Sequence, residues 1–242
     1  MSNEFIRVEN LCKSYGEIKA SQNLNFTAQK GEIIALVGEN GAGKTTLMNM
    51  LAGFLSPDSG DIFVCSKNIK DNPIWGKEHI GFLPEGSPLY DDMSVKAFLE
   101  YMAELRGLGA DEVKKVIEIA KINNVASQRI ETLSKGYRRR VGFAQSILSS
   151  PPILLLDEPT DGLDPNQKRH IRGLISAFGK DKTIIISTHL LEEAENLCAR
   201  IILIDKGKIV ADGTLEAVLS QYQSPSLEEV FFKLSQTREE NR

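Results

Sequence analysis

Gly38-Glu39-Asn40-Gly41-Ala42-Gly43-Lys44-Thr45 fits the spacing G-x-x-x-x-G-K-[ST], and a second threonine, Thr46, follows it. Glycines at these positions let backbone N–H groups wrap phosphate oxygens with no Cβ in the way. Lys44 suits the β- and γ-phosphates of a nucleotide and the chemistry at them, and the Thr45 hydroxyl suits Mg²⁺. Gly38, Asn40, Gly41, Ala42, Gly43, Lys44, Thr45 and Thr46 are therefore the expected phosphate-side contacts. A second cluster, Ile153-Leu154-Leu155-Leu156-Asp157-Glu158, is an apolar run ending in two acids. Asp157 suits Mg²⁺, directly or through water, and Glu158 suits a general base that polarises an attacking water. By itself the first motif says only nucleotide binding, and the second is equally a solvated pair of acids at a strand end. Together they point to hydrolysis of a nucleoside triphosphate with Mg²⁺.

These residues need strands and helices to hold them. Ile33 to Val37 is a short aliphatic and β-branched run, as expected of a strand buried on both faces, and a helix is expected from Gly43 to about Ala52. The loop thus lies where a strand feeds a helix N-terminus, whose positive dipole end favours phosphate. Phe5 to Val8, Leu24 to Ala28, Ile62 to Val64, Ile153 to Leu156 and Thr183 to Ser187 read as further strands. Ile201 to Ile204 and Lys208 to Ala211 read as a hairpin around Asp205-Lys206-Gly207. Between them the period changes. Val95, Phe98, Leu99 and Met102 recur at helical spacing after Ser94 as N-cap, and Val113, Val116, Ile117 and Ala120 repeat the pattern. The expected architecture is α/β, a P-loop NTPase core with a mainly parallel sheet, an N-terminal antiparallel β region and a helical insert. The core and β region take about 1–84 and 149–222, the insert about 85–148, and a C-terminal helix and tail 223–242. That helix is announced by Ser226-Leu227-Glu228-Glu229. The polar tail from Gln236 to Arg242 is expected to fray.

With these motifs in place the chain resembles the ABC ATPase family over nearly its whole length. Leu133-Ser134-Lys135-Gly136-Tyr137 stands where that family carries Leu-Ser-Gly-Gly-Gln, about two dozen residues before Asp157. Ser134 and Gly136 match; Lys135 and Tyr137 do not. The resemblance implies that Ser134, at a helix start, and Gly136 contact the nucleotide of an opposite subunit. It places Tyr15 against adenine and His189 at the γ-phosphate. It places Glu85, in Gly81-Phe82-Leu83-Pro84-Glu85, where the family has a glutamine that serves Mg²⁺. Asp161-Gly162-Leu163-Asp164 resembles the loop that crosses the dimer interface, with Asp161 in place of serine. Glu85, Lys135-Gly136-Tyr137 and the C-terminal Ser226 to Phe231 segment are most similar to bacterial single-cassette exporter ATPases of the drug-efflux and gliding-motility type. The implied partners are a transmembrane permease and a second cassette, identical or related, joined on ATP binding. The implied location is the cytoplasmic face of a membrane.

Composition narrows the alternatives. Of 242 residues 41% are hydrophobic and 26% charged, as in globular proteins with a real core. A net charge of −4 is a poor match for nucleic acid, so none is expected as a partner. A soluble ABC ATPase acting on nucleic acid or ribosomes would carry two cassettes or long coiled coils. A GTPase would carry an Asn-Lys-x-Asp element, which is not found; Asn23 and Asn25 lie too early and lack it. Met1-Ser2-Asn3-Glu4 lacks a basic and apolar leader, and the apolar runs fall short of the ~20 residues of a membrane span. Cys12, Cys65 and Cys198 suggest neither a disulfide framework nor a zinc set. His79 and His170 match nothing and are expected at the surface. Arg138-Arg139-Arg140 is expected to be a solvated helix face, an ion-pair surface, or an aid to phosphates across a dimer.

Overall fold

The computed structural model describes residues 3–239. Met1 and Ser2, read above for a leader, and residues 240–242 of the polar tail lie outside the described residues. The chain opens with two long antiparallel strands, β1 (Glu4–Tyr15) and β2 (Ile18–Gln29). Both extend well past the runs that alternate cleanly. Asn10 and Asn23 lie at positive φ, 49° and 52°, and the register shifts between Val8 and Leu11. Such a bulge changes which residues face the core while pairing continues, so alternation stops before the strand does. β3 (Ile33–Val37) leads into the phosphate loop and α1 (Lys44–Leu51). β4 (Ser59–Val64) and the short β5 (Lys67–Asn68) complete an antiparallel sheet in the order β2-β1-β4-β5.

α2 (Pro73–His79) and β6 (Ile80–Leu83) come next, and neither was expected from the hydrophobic pattern. The helical stretch follows: α3 (Val95–Glu104), α4 (Ala110–Ile119), two 3-10 turns at Asn123–Val125 and Ile130–Thr132, and α5 (Lys135–Ser146). Ser94 caps α3, accepting a hydrogen bond from Ala97 N at 3.2 Å. The chain then alternates through β7 (Ile153–Asp157), α6 (Pro165–Phe178), β8 (Thr183–Thr188), α7 (Leu191–Leu197), β9 (Arg200–Asp205) and β10 (Lys208–Gly213). It closes with α8 (Leu215–Gln221) and α9 (Leu227–Glu239). The tail expected to fray from Gln236 is thus helical as far as Glu239.

The second sheet has the order β10-β9-β3-β8-β7-β6 and is parallel throughout except for the β9–β10 hairpin. Its central strands are buried on both faces, which is why they read as continuous apolar runs. Leu154, Leu156, Ile184 and Ile186 face the helices α3 to α6, while Ile153, Leu155 and Ile185 face α1 and the first sheet. α1 fills the space between the sheets with Leu47, Met48 and Leu51. Ala35, Val37, Ile201 and Leu203 form a third core with α7, α8 and α9. Burial of each such aliphatic side chain contributes about 1.5–3 kcal/mol. Parallel register also aligns the strand ends: Val37 pairs with Thr188, and Asp157 with Ser187. Gly38, Glu158 and His189 therefore leave the sheet along one edge, the carboxyl edge where α/β sheets bind ligands. Among the described residues no helix is long and apolar enough to cross a membrane.

Candidate functional site

Gly43 caps α1 at φ 109°, and a Cβ there would meet the carbonyl oxygen of Ala20, so this position needs glycine. Lys44 is buried and donates from Nζ to Gly38 O at 2.7 Å and Glu39 O at 3.1 Å. Burial lowers the Lys44 pKa, and the carboxylates of Glu158, Asp157, Glu85 and Glu39 oppose that shift. The loop is pinned from outside as well: Gly207, in the β9–β10 turn, donates to Ala42 O at 2.9 Å.

β7 ends on Asp157, which is 1% exposed. Ser187 Oγ donates to its Oδ1, while its buried Oδ2 accepts no hydrogen bond. A buried carboxylate oxygen without a partner fits a divalent cation or a water on that cation. Glu158 takes a left-handed backbone, φ 50°, fixed by a 3.0 Å hydrogen bond from its N–H to Ser187 O. Its Oε1 lies 2.8 Å from His189 Nδ1. Burial raises the Glu158 carboxyl pKa above the ordinary glutamate range, and the His189 hydrogen bond pulls against that. His189 itself is exposed at the edge.

A cavity of about 470 Å³ is lined by Tyr15, Asn40, Gly41, Gly43, Lys44, Thr45, Thr46, Glu85, Asp157, Glu158 and His189, together with Ile18, Ala20 and Asp161. Gly38 and Ala42 stand behind this wall as loop backbone. Ser134 and Gly136 do not line the cavity. Ser134 is exposed and caps α5, accepting from Tyr137 N at 3.4 Å. Gly136 is buried, and a Cβ there would meet the Gln167 side chain on α6, so its glycine has a packing reason inside the chain. Among the described residues no three His, Cys, Asp or Glu side chains converge on a metal site. A cation at Asp157 and Thr45 would therefore need further ligands from phosphate oxygens and water.

A family model described as ABC transporter matches residues 21–161, more than half of the chain. The chain belongs to the ABC transporter family. It is accordingly an ATP-binding, ATP-hydrolysing cassette with the α/β fold of that family. The cassette is similar to Nod factor export ATP-binding protein I of Burkholderia lata, 37% identical over an alignment of 220 residues that covers 88% of this chain and 72% of that protein. Among solved structures it is similar to the ATP binding subunit of an ABC transporter, with a TM-score of 0.88 and 27% identity over 96% of this chain and 99% of that one. It is also similar to a dimeric bacterial ABC transporter cassette, with a TM-score of 0.81 and 26% identity over 87% of this chain and 98% of that one.

Several side chains of the cassette lie where sequence reasoning did not put them. Arg138-Arg139-Arg140 is no solvated face, since Arg139 and Arg140 are buried. Arg138 pairs with Asp91 at 2.6 Å, Arg140 donates to Lys121 O at 2.9 Å, and Arg139 donates to Pro84 O and Glu158 O, both at 2.7 Å, without lining the nucleotide cavity. Tyr137 is turned to its own chain, with Asn124 Nδ2 donating to its hydroxyl at 2.6 Å and the Arg140 guanidinium 4.2 Å from its ring centre. His79 and His170 are half-buried rather than surface groups: His79 stacks on Trp75, and His170 donates to Ile119 O at 3.0 Å. The three cysteines are free.

Proposed function

We propose that this cassette binds ATP with Mg²⁺ in the cavity between the phosphate loop and β7, meets a second cassette across that ATP, and drives export through a separate membrane permease. The observation that carries the reading is the position of Ser134. The capped start of α5 is an anion site by its dipole, yet it is exposed and absent from the chain's own nucleotide cavity. A phosphate brought by another copy, or by a related cassette, supplies its ligand.

Within the cavity Lys44 and the loop N–H groups bind phosphate. Thr45, Asp157 and Glu85 would hold Mg²⁺, which neutralises phosphate charge when bound. Tyr15, half-exposed at the rim, offers a ring face to the base. Glu158 accepts the proton of the attacking water, and His189 holds its carboxylate from the other side. The permease contact falls on an apolar groove of about 500 Å³ beside the Glu85 loop, lined by Phe54, Phe82, Leu89, Tyr90, Phe98 and Met102. Phe54 and Tyr90 are exposed, so a partner gains apolar burial there. A permease bound at this groove keeps the cassette peripheral on the cytoplasmic face. The direction, export, is supported by the similarity to the Nod factor export protein.

Glu158→Gln tests the core of this reading. The amide keeps the shape but cannot take a proton, so turnover should fall by about 100-fold or more. MgATP should still bind, and the ATP-bound variant should run as a dimer in size-exclusion chromatography while the nucleotide-free wild type runs as a monomer. Turnover within a few-fold of wild type would remove Glu158 as the base and point to His189.

A further inference from the structure

Arg139 is 5% exposed and lies on the second turn of α5. Its guanidinium donates to four oxygens, none of them a carboxylate. Nη1 reaches Pro84 O at 2.7 Å and Ser87 Oγ at 2.9 Å. Nη2 reaches Glu158 O at 2.7 Å and also Asp157 O. One planar fork thus joins the loop that carries Glu85 to the strand end that carries Asp157 and Glu158. A buried cation is costly unless its donors are used and opposite charge is near. Here Nη1 and Nη2 donate to three carbonyls and the Ser87 hydroxyl while the buried Nε has no partner, and the carboxylates of Asp157, Asp161, Glu158 and Glu85 supply the opposite charge. α5 is held against the same loop a second time. Gly142, three residues on, has Ser87 Oγ 2.8 Å and Leu83 Cδ1 2.9 Å from where a Cβ would sit. The cap of α5, Ser134, is five residues before Arg139, about 8 Å along the helix axis.

We propose that Arg139 is a positioning residue for hydrolysis, fixing the Glu85 loop and the Glu158 backbone to the one helix whose capped start faces the partner's nucleotide. The inference rests on the reading of Glu158 as the base. Four directional hydrogen bonds from a rigid fork set the separation of the two acid-bearing segments. α5 therefore transmits contact with the partner's phosphate to its own chain's base. Lysine at 139 keeps the charge and loses the fork; glutamine loses the charge as well.

The test is steady-state hydrolysis and nucleotide binding by the full chain with MgATP. Misplacing reacting groups by about an ångström costs up to about 100-fold, so Arg139→Gln should lower kcat by about 10- to 100-fold while the MgATP dissociation constant stays within about threefold. Arg139→Lys should recover only part of kcat, since it restores the charge without the fork. Should Arg139→Gln fail to fold, Ser87→Ala removes a single acceptor and should lower kcat by a few-fold, about 2- to 5-fold, with binding kept. Wild-type kcat in both Arg139→Lys and Ser87→Ala would overturn the proposal. So would a parallel loss of binding and kcat in Arg139→Gln, the pattern of a merely structural residue. Glu158→Gln is measured alongside: if it alone turns over normally, the base assignment has failed, whereas an inactive Glu158→Gln beside a normal Arg139→Gln fails the clamp.

Discussion

Lys135 and Asp161 form an ion pair of 2.7 Å inside one chain, between the start of α5 and the loop before α6. They are two of the positions where this cassette departs from the family pattern, and the departures meet. Gly162 completes the contact, since a Cβ there would touch the aliphatic part of Lys135. Asp161 also lines the nucleotide cavity, and Lys135 holds its carboxyl below the usual aspartate range.

The pair is exposed, so it adds at most about 1 kcal/mol to stability. On the proposed reading its effect belongs at the face that meets a second cassette. Lys135→Gly leaves an unpaired carboxylate beside the phosphates and should weaken ATP-driven dimerisation. Asp161→Ser leaves an unpaired cation near anions and should be milder. The double variant should lie closer to wild type than Lys135→Gly does. The measurement is the ATP concentration giving half-maximal dimer in a Glu158→Gln background. Strictly additive effects of the two changes would show that the pair is not coupled there.

A second prediction concerns pH. Glu158 must be ionised to act as a base, and burial raises its pKa, so the acid limb of kcat should lie above the ordinary glutamate range. The His189 hydrogen bond favours the ionised form. His189→Ala removes that support, which raises the Glu158 pKa further and should shift the acid limb to higher pH. At alkaline pH the variant should recover part of its lost turnover. An unmoved limb would mean that the 2.8 Å contact does not govern the ionisation of Glu158.

The parts of this site that could be read from sequence are those that depend on local chain geometry. The phosphate loop needs glycines within eight residues, and the two acids end a strand whose burial makes it wholly apolar. The Arg139 clamp was hidden for a physical reason. Successive helix residues point about 100° apart, so three adjacent arginines on α5 go to three environments, Asp91, the Glu158 backbone, and the α4 end. A charge run shows none of this in one dimension. The long β1 and β2 were hidden by their bulges, where Asn10 and Asn23 take left-handed backbone and break the period. Ser87 and Ser187 gave no signal, because each acts only through a partner 52 or 30 residues away in the chain.

Glu85 separates two roles for the metal-side loop. It is exposed and lines the nucleotide cavity, so replacing its carboxylate with an amide removes no buried charge. Glu85→Gln should keep MgATP binding and basal hydrolysis within a few-fold, about threefold, of wild type. If hydrolysis is unchanged while stimulation by the permease is lost, the side chain serves the partner contact alone. A loss of Mg²⁺-dependent binding by more than about tenfold would make the charge itself essential to the ion.

The sharing of one active site between two chains is open to a mixing experiment. Lys44→Ala removes the cation from a site built for anions and should weaken MgATP binding by about 10- to 100-fold, as expected when a charged hydrogen-bonding group is lost. Ser134→Arg keeps Lys44 and should bind ATP, but it places a bulky side chain at the exposed helix start where the partner's phosphate must approach. Each variant alone should be inactive. In a mixed dimer one site combines the intact Lys44 of the Ser134→Arg chain with the intact Ser134 of the Lys44→Ala chain. The other site carries both defects. Random mixing makes about half the dimers mixed, each with one intact site of two, so turnover should recover to at most about a quarter of the wild-type rate per chain. Recovery should follow the mixing ratio and peak at equal amounts. If tagged-chain capture shows that mixed dimers form and no turnover appears at any ratio, the two residues do not complete one site.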